Sequence, residues 1–179
     1  MNHEQTPSFV LAVYPFTQGF AFVFFEGPRK PFDWGVKDIR DKQKSAKTLE
    51  EIEKLIDRYR PEVLVIEDTM NGENRRTSRI RKLYRFLAKL AERKYVDLFS
   101  YKKREVLEAL GLPDFATKHA IAQAVATRLP AFAHRMPPRR KAWMNADPRH
   151  GLFDAAALVV THYQRTFRYE TEFFEDQQQ

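Results

Sequence analysis

Two carboxylates stand at the borders of apolar runs. Glu67 closes Val63-Leu-Val-Ile66, and Asp154 opens the run from Ala155 to Val160. Carboxylate oxygens bind hard divalent cations such as Mg²⁺. Each residue also has a plain role: a glutamate at a strand end is ordinarily solvated, and an aspartate at a helix start complements the helix dipole. His119, His134 and His162 have no ligand spacing with one another. The chain has no cysteine, which excludes disulfides, thiolate zinc sites and a cysteine nucleophile.

The second chemical signal is positive charge. The 179 residues carry a formal net charge of +7, and between Arg75 and Arg104 there are twelve Lys or Arg but only two acids, Glu92 and Asp97. Within that stretch Arg75, Arg79, Lys82, Arg85 and Lys89 lie off the apolar stripe Ile80, Leu83, Tyr84, Leu87, Leu90 and Ala91. A second cluster, Arg139, Arg140 and Lys141, sits with Trp143 in a Pro-rich stretch. Uncompensated cations on one face suit a phosphate backbone, which binds by counterion release. The expected partner is therefore nucleic acid.

The elements that must position these groups follow from periodicity. Residues 9–16, 19–26 and 31–39 are short apolar runs divided by turn residues, which predicts three antiparallel strands. Leu49, Ile52, Leu55, Ile56 and Tyr59 repeat at helical spacing up to Pro61. Val63–Ile66 is continuously apolar, as in a strand buried on both faces. A helix over 75–94, a strand over 96–100 and helices over 104–110 and 117–129 follow. Residues 130–149 read as a loop, and a last helix starts near Leu152 and runs past Tyr163. This order predicts an α/β fold of the RNase H-like kind: a mixed five-stranded sheet with helices on both faces. We expect one domain over 1–168 and a flexible tail over 169–179. No run approaches 18 uninterrupted apolar residues, and Met1–Ser8 has no apolar core, so the expected location is cytoplasmic.

Several of these pieces together resemble the RuvC-like Holliday junction resolvases. Pro61-Glu-Val-Leu-Val-Ile-Glu67 is similar to the buried family strand that ends in a catalytic glutamate. Tyr101-Lys-Lys-Arg-Glu-Val106 looks like its Tyr-x-x-x-x-Val helix start, and Lys118-x-x-Ile-x-x-x-Val125 like its next helix. Asp154 to Thr161-His162 resembles the final helix, and Leu11-Ala-Val-Tyr-Pro15 and Asp33-Trp-Gly-Val36 fit the first and third strands. The resemblance spans about residues 9–163. It implies junction or branched DNA as partner, Mg²⁺ or Mn²⁺ as cofactor, Glu67 and Asp154 as metal ligands and Lys118 as a catalytic lysine. It also sets Met70 near the bases of the junction.

The departures carry as much information as the matches. Tyr14 occupies the place of the first-strand aspartate, which in two-metal phosphodiester hydrolases lies between the ions. A phenol titrating near pH ~10 is a neutral, bulky substitute. The ligand position three residues before Asp154 is Gly151, with His150 next to it as a possible replacement if the preceding loop rearranges. A second family lysine falls on Leu107. The expectation is a nucleic-acid-binding protein with impaired or lost metal-dependent cleavage. Two alternatives are an active Mg²⁺- or Mn²⁺-dependent structure-selective endonuclease using Glu67, Asp154 and a substitute ligand, and a protein-interaction module on a degenerate nuclease fold. The related sugar kinases and ATPases need a Gly-rich phosphate loop, and Thr17-Gln18-Gly19 does not supply one. A homodimer through the long helix is possible in the family, but Lys82 and Phe86 stand where its small contact residues belong.

Overall fold

The computed structural model describes residues 8–69, 76–141, 143 and 147–176, with 167–176 described by backbone alone. Strands β1 (Val10–Phe16), β2 (Gly19–Phe25) and β3 (Pro31–Asp38) form an antiparallel meander. Helix α1 (Lys44–Tyr59) leads to β4 (Val63–Glu67), and α2 (Ser78–Arg93) leads to β5 (Asp97–Tyr101). The sheet order is β3-β2-β1-β4-β5, with β4 parallel to both β1 and β5. Helices α3 (Lys103–Ala109), α4 (Lys118–Arg128) and α5 (Arg149–Asp176) complete the chain. The predicted mixed five-stranded sheet is present, with its meander first.

Period-two alternation sorts the strand residues into two cores. Val10, Ala12, Tyr14, Val23, Phe25, Val63 and Val65 face α3, α4 and α5. Leu11, Val13, Phe22, Phe24, Leu64 and Ile66 face α1 and α2. Helix α2 buries the six apolar residues that its periodicity predicts. From His150 to Tyr163, helix α5 is buried on every side, as expected of a helix running between a sheet and other helices. Gly19 permits the β1–β2 turn to press on β3, because a Cβ there would lie 1.8 Å from the Lys37 carbonyl oxygen.

The structure differs from the sequence reading in the stretch taken as a loop. Pro130–Arg135 form a 3-10 helix whose Phe132 is fully buried, with its ring centroid 5.0 Å from that of Trp34. Helix α5 also starts earlier than Leu152. Asp147 accepts hydrogen bonds from the Arg149 backbone and guanidinium, which fixes its first turn. That helix continues through Asp176, beyond the start of the expected tail.

Candidate functional site

Strand alternation aims Tyr14 and Glu67 at the same face of the sheet, since each continues a run of residues on the α5 side. The β1–β4 register pairs Ala12 with Val65; carried two residues further, it brings Tyr14 beside Glu67. Asp154 lies one turn into α5, which crosses β1 on that same face. Glu67 and Asp154 are 8% and 9% exposed, and Tyr14 between them is 8% exposed. Such burial requires a partner for each charge.

Each carboxylate has one. The Arg76 guanidinium donates to Glu67 Oε2 from Nη2 at 2.7 Å and from Nε at 3.0 Å, and its Nη1 donates to the Pro15 carbonyl at 3.2 Å. Lys118, the first residue of α4, places Nζ 3.0 Å from Asp154 Oδ2. Both cations also meet the Tyr14 ring, with the guanidinium carbon 4.4 Å and the ammonium 5.3 Å from its centroid. A cation over an aromatic face is attracted by the ring quadrupole, more so when desolvated. Tyr14 thus joins two ion pairs.

The electrostatics follow from burial and neighbouring carboxylates. Burial pushes the Tyr14 hydroxyl well above its usual pKa, and the charges of Asp154 and Glu67 push it further, so it stays protonated. Tyr84 is affected likewise, first by burial and then by Glu67. Burial opposes the charge on Arg76, and its ion pair with Glu67 holds that charge in place. His150 lies in the first turn of α5, where burial lowers its pKa while Asp154 acts in the opposite sense.

These groups do not fit a pair of divalent ions. Each carboxylate already has a protein cation, Tyr14 brings a neutral phenol at the first-strand position, and His150 Nδ1 is buried without a hydrogen-bond partner among the described residues. Among the described residues no three Asp, Glu or His side chains are placed to hold an ion. At Gly151 a Cβ would lie 3.2 Å from the Phe16 ring and 3.3 Å from Ala21 Cβ, so the ligand position of the family pattern is pressed against the sheet.

Of the cations expected to meet nucleic acid, Lys82, Arg85, Lys89, Arg139, Arg140 and Lys141 are exposed. Arg85 and Lys89, together with Arg81, which the sequence reading passed over, have no carboxylate partner among the described residues. Lys82 lies 5.9 Å from the Phe86 ring centroid, and Lys141 lies 5.8 Å from that of Trp143. Arg79 is directed inward instead, toward the Phe16 and Thr17 carbonyls. Arg93 and Lys94, at the far end of α2, pair with Glu53 of α1. Met70 and Arg75 lie outside the described residues. Sequence reasoning missed Arg76 and Tyr84 as parts of the site: one was a basic residue among twelve, the other a stripe residue.

This arrangement, a β-meander followed by βα units with acidic residues on β4 and the final helix, is the RNase H-like fold of RuvC-type proteins. Solved structures share it, and three of them are these. Thermus thermophilus RuvC in complex with a Holliday junction substrate has 17% identity and a TM-score of 0.62, over 87% of this chain and 92% of that one. Another Thermus thermophilus RuvC structure gives 20% and 0.60, over 88% and 96%. The yeast mitochondrial Holliday junction resolvase Ydc2 gives 14% and 0.63, over 95% and 84%. No protein-family profile and no curated protein sequence matches. At such identities the likeness establishes the fold.

Proposed function

We propose that this protein binds branched or junction DNA through the outer face of α2 and the basic segment 139–141, and that it does not cleave the bound strand by a metal-dependent reaction. The observation that carries this reading is the placement of charge. Outside, Arg81, Arg85 and Lys89 stand exposed without carboxylate partners among the described residues; inside, Arg76 and Lys118 are paired with Glu67 and Asp154. Exposed cations are available to phosphates, whereas paired carboxylates are withheld from an ion. The fold shared with a junction-bound RuvC supports branched DNA as the ligand.

Two-metal phosphodiester hydrolysis needs carboxylates to bridge and charge-balance the ions. Here the residue between Glu67 and Asp154 is a phenol whose proton is held by burial. Glu67 with Arg76, and Asp154 with Lys118, then act as a neutral plug that orders the ends of β1, β4 and α5, and Tyr14 fills the space between them.

Gel shifts on a four-way junction, a linear duplex and a single strand test the binding, at low salt and without divalent ions. The expected result is a junction complex that outcompetes excess duplex. No shift on any of the three overturns the proposal. Incubation of labelled junction with Mn²⁺ tests the second half, and cleavage that is lost in Glu67→Gln would establish the active-nuclease alternative instead.

A further inference from the structure

A buried carboxylate does not stay charged without a counter-ion. In this pocket the counter-ion of Glu67 is part of the chain. Arg76 directs three nitrogens at the ends of two neighbouring strands, two donations to Glu67 Oε2 and one to the Pro15 carbonyl, and it lies over the Tyr14 ring. Its side chain is 17% exposed, and that of Glu67 is 10% exposed. The buried Tyr84 hydroxyl also lies under the influence of Glu67. Lys118 is different: its side chain is 52% exposed, so it can swing away from Asp154 into water.

We infer that Arg76 is a tethered cation standing in for a divalent ion at Glu67, and that Tyr14 and Arg76 form one interlocked unit that keeps a latent metal site shut. The aromatic face needs the cation, and the cation needs the carboxylate. Restoring an aspartate at position 14 alone therefore leaves Glu67 occupied by the guanidinium. Removing Arg76 alone leaves Tyr14 where a ligand must stand. Only the joint change, Tyr14→Asp with Arg76→Ala, gathers three carboxylates (the new aspartate, Glu67 and Asp154) with too little protein charge to balance them. Such a cluster binds a divalent cation and is unstable without one.

This inference rests on reading Glu67 and Asp154 as a former metal site, and it is independent of DNA binding, so its test contains no DNA. Mn²⁺ binding is followed by electron paramagnetic resonance on the full chain, with circular dichroism melts at each Mn²⁺ concentration. The proteins are wild type, Tyr14→Asp, Arg76→Ala, the double variant, and the double variant with Glu67→Gln. The expected result is at least tenfold tighter Mn²⁺ binding by the double variant than by wild type or either single variant, and loss of that gain with Glu67→Gln. If the metal-free double variant is unfolded, Mn²⁺ is expected to fold it, which the dichroism reads directly. Three outcomes overturn the inference: wild type or Tyr14→Asp binding as tightly as the double variant, a double variant that neither binds nor folds with Mn²⁺, or a gain that survives Glu67→Gln.

Discussion

The Phe16 ring lies where a side chain at Gly151 would have to begin, 3.2 Å from an ideal Cβ. Helix α5 approaches β1 and β2 that closely because nothing projects from it there. Gly151→Asp is expected to destabilise the fold by about 1–3 kcal/mol, the range for overpacking a closed core. Urea denaturation measures it. Phe16→Ala in the same chain should return part of the loss, and equal destabilisation with and without Phe16 would show that the ring is not the obstacle.

The Glu67–Arg76 pair is buried, so removing one partner leaves an unpaired charge. Arg76→Met should destabilise by about 3–5 kcal/mol, and adding Glu67→Gln should recover much of it. Lys118→Met, at a half-exposed pair, should change stability by about 1 kcal/mol or less. A double-mutant cycle by chemical denaturation decides between this ordering and its reverse.

On α2, Arg81, Arg85 and Lys89 point to solvent. Replacing each by alanine should leave the melting temperature nearly unchanged and weaken DNA binding across sequences. The slope of log affinity against log salt should fall by about 1 per phosphate contact removed. Arg93→Ala is the control, because Arg93 already pairs with Glu53. Fluorescence anisotropy over a salt series reads all four.

Burial holds the pKa values of His150 and His162 below the ordinary 6.5. A base whose folded pKa is depressed binds fewer protons folded than unfolded, so it supports the fold above pH 6.5 and withdraws that support as pH falls toward the folded value. Stability should therefore decline from pH 7.5 to 5.5. His162 Nδ1 lies 3.0 Å from the Tyr101 hydroxyl, and His162→Gln should flatten this pH dependence while lowering stability at pH 7.5. An unchanged slope would assign the decline to other groups.

The sequence made the sheet legible because its signals are local. The unbroken apolar run of β4 and the six-residue stripe of α2 each follow from one element's own period. Gly151 was legible as a departure but not as a close contact, since Phe16 is far away in the chain. Arg76 was invisible for the same reason: nothing local separates an arginine bound for solvent from one that folds over Tyr14. Surplus charge over 75–104 was overstated for a tertiary reason, because α1 supplies Glu53 and Asp57 to Arg93 and Lys94. The loop reading of 130–135 failed because a short 3-10 turn anchored by a single phenylalanine has no period to detect.

Helix α5 packs on all five strands, and its Tyr163 hydroxyl donates to the Ser8 carbonyl across 155 residues of sequence. The meander is thus made early in the chain and roofed by a segment that arrives much later. Until then Val10, Ala12, Val23 and Phe25 offer one apolar side of the sheet to whatever is nearby. Contacts this distant in sequence slow folding, since the chain entropy must be spent before they form. During synthesis, the half-built sheet is therefore the stage at which this protein most needs shelter from its neighbours.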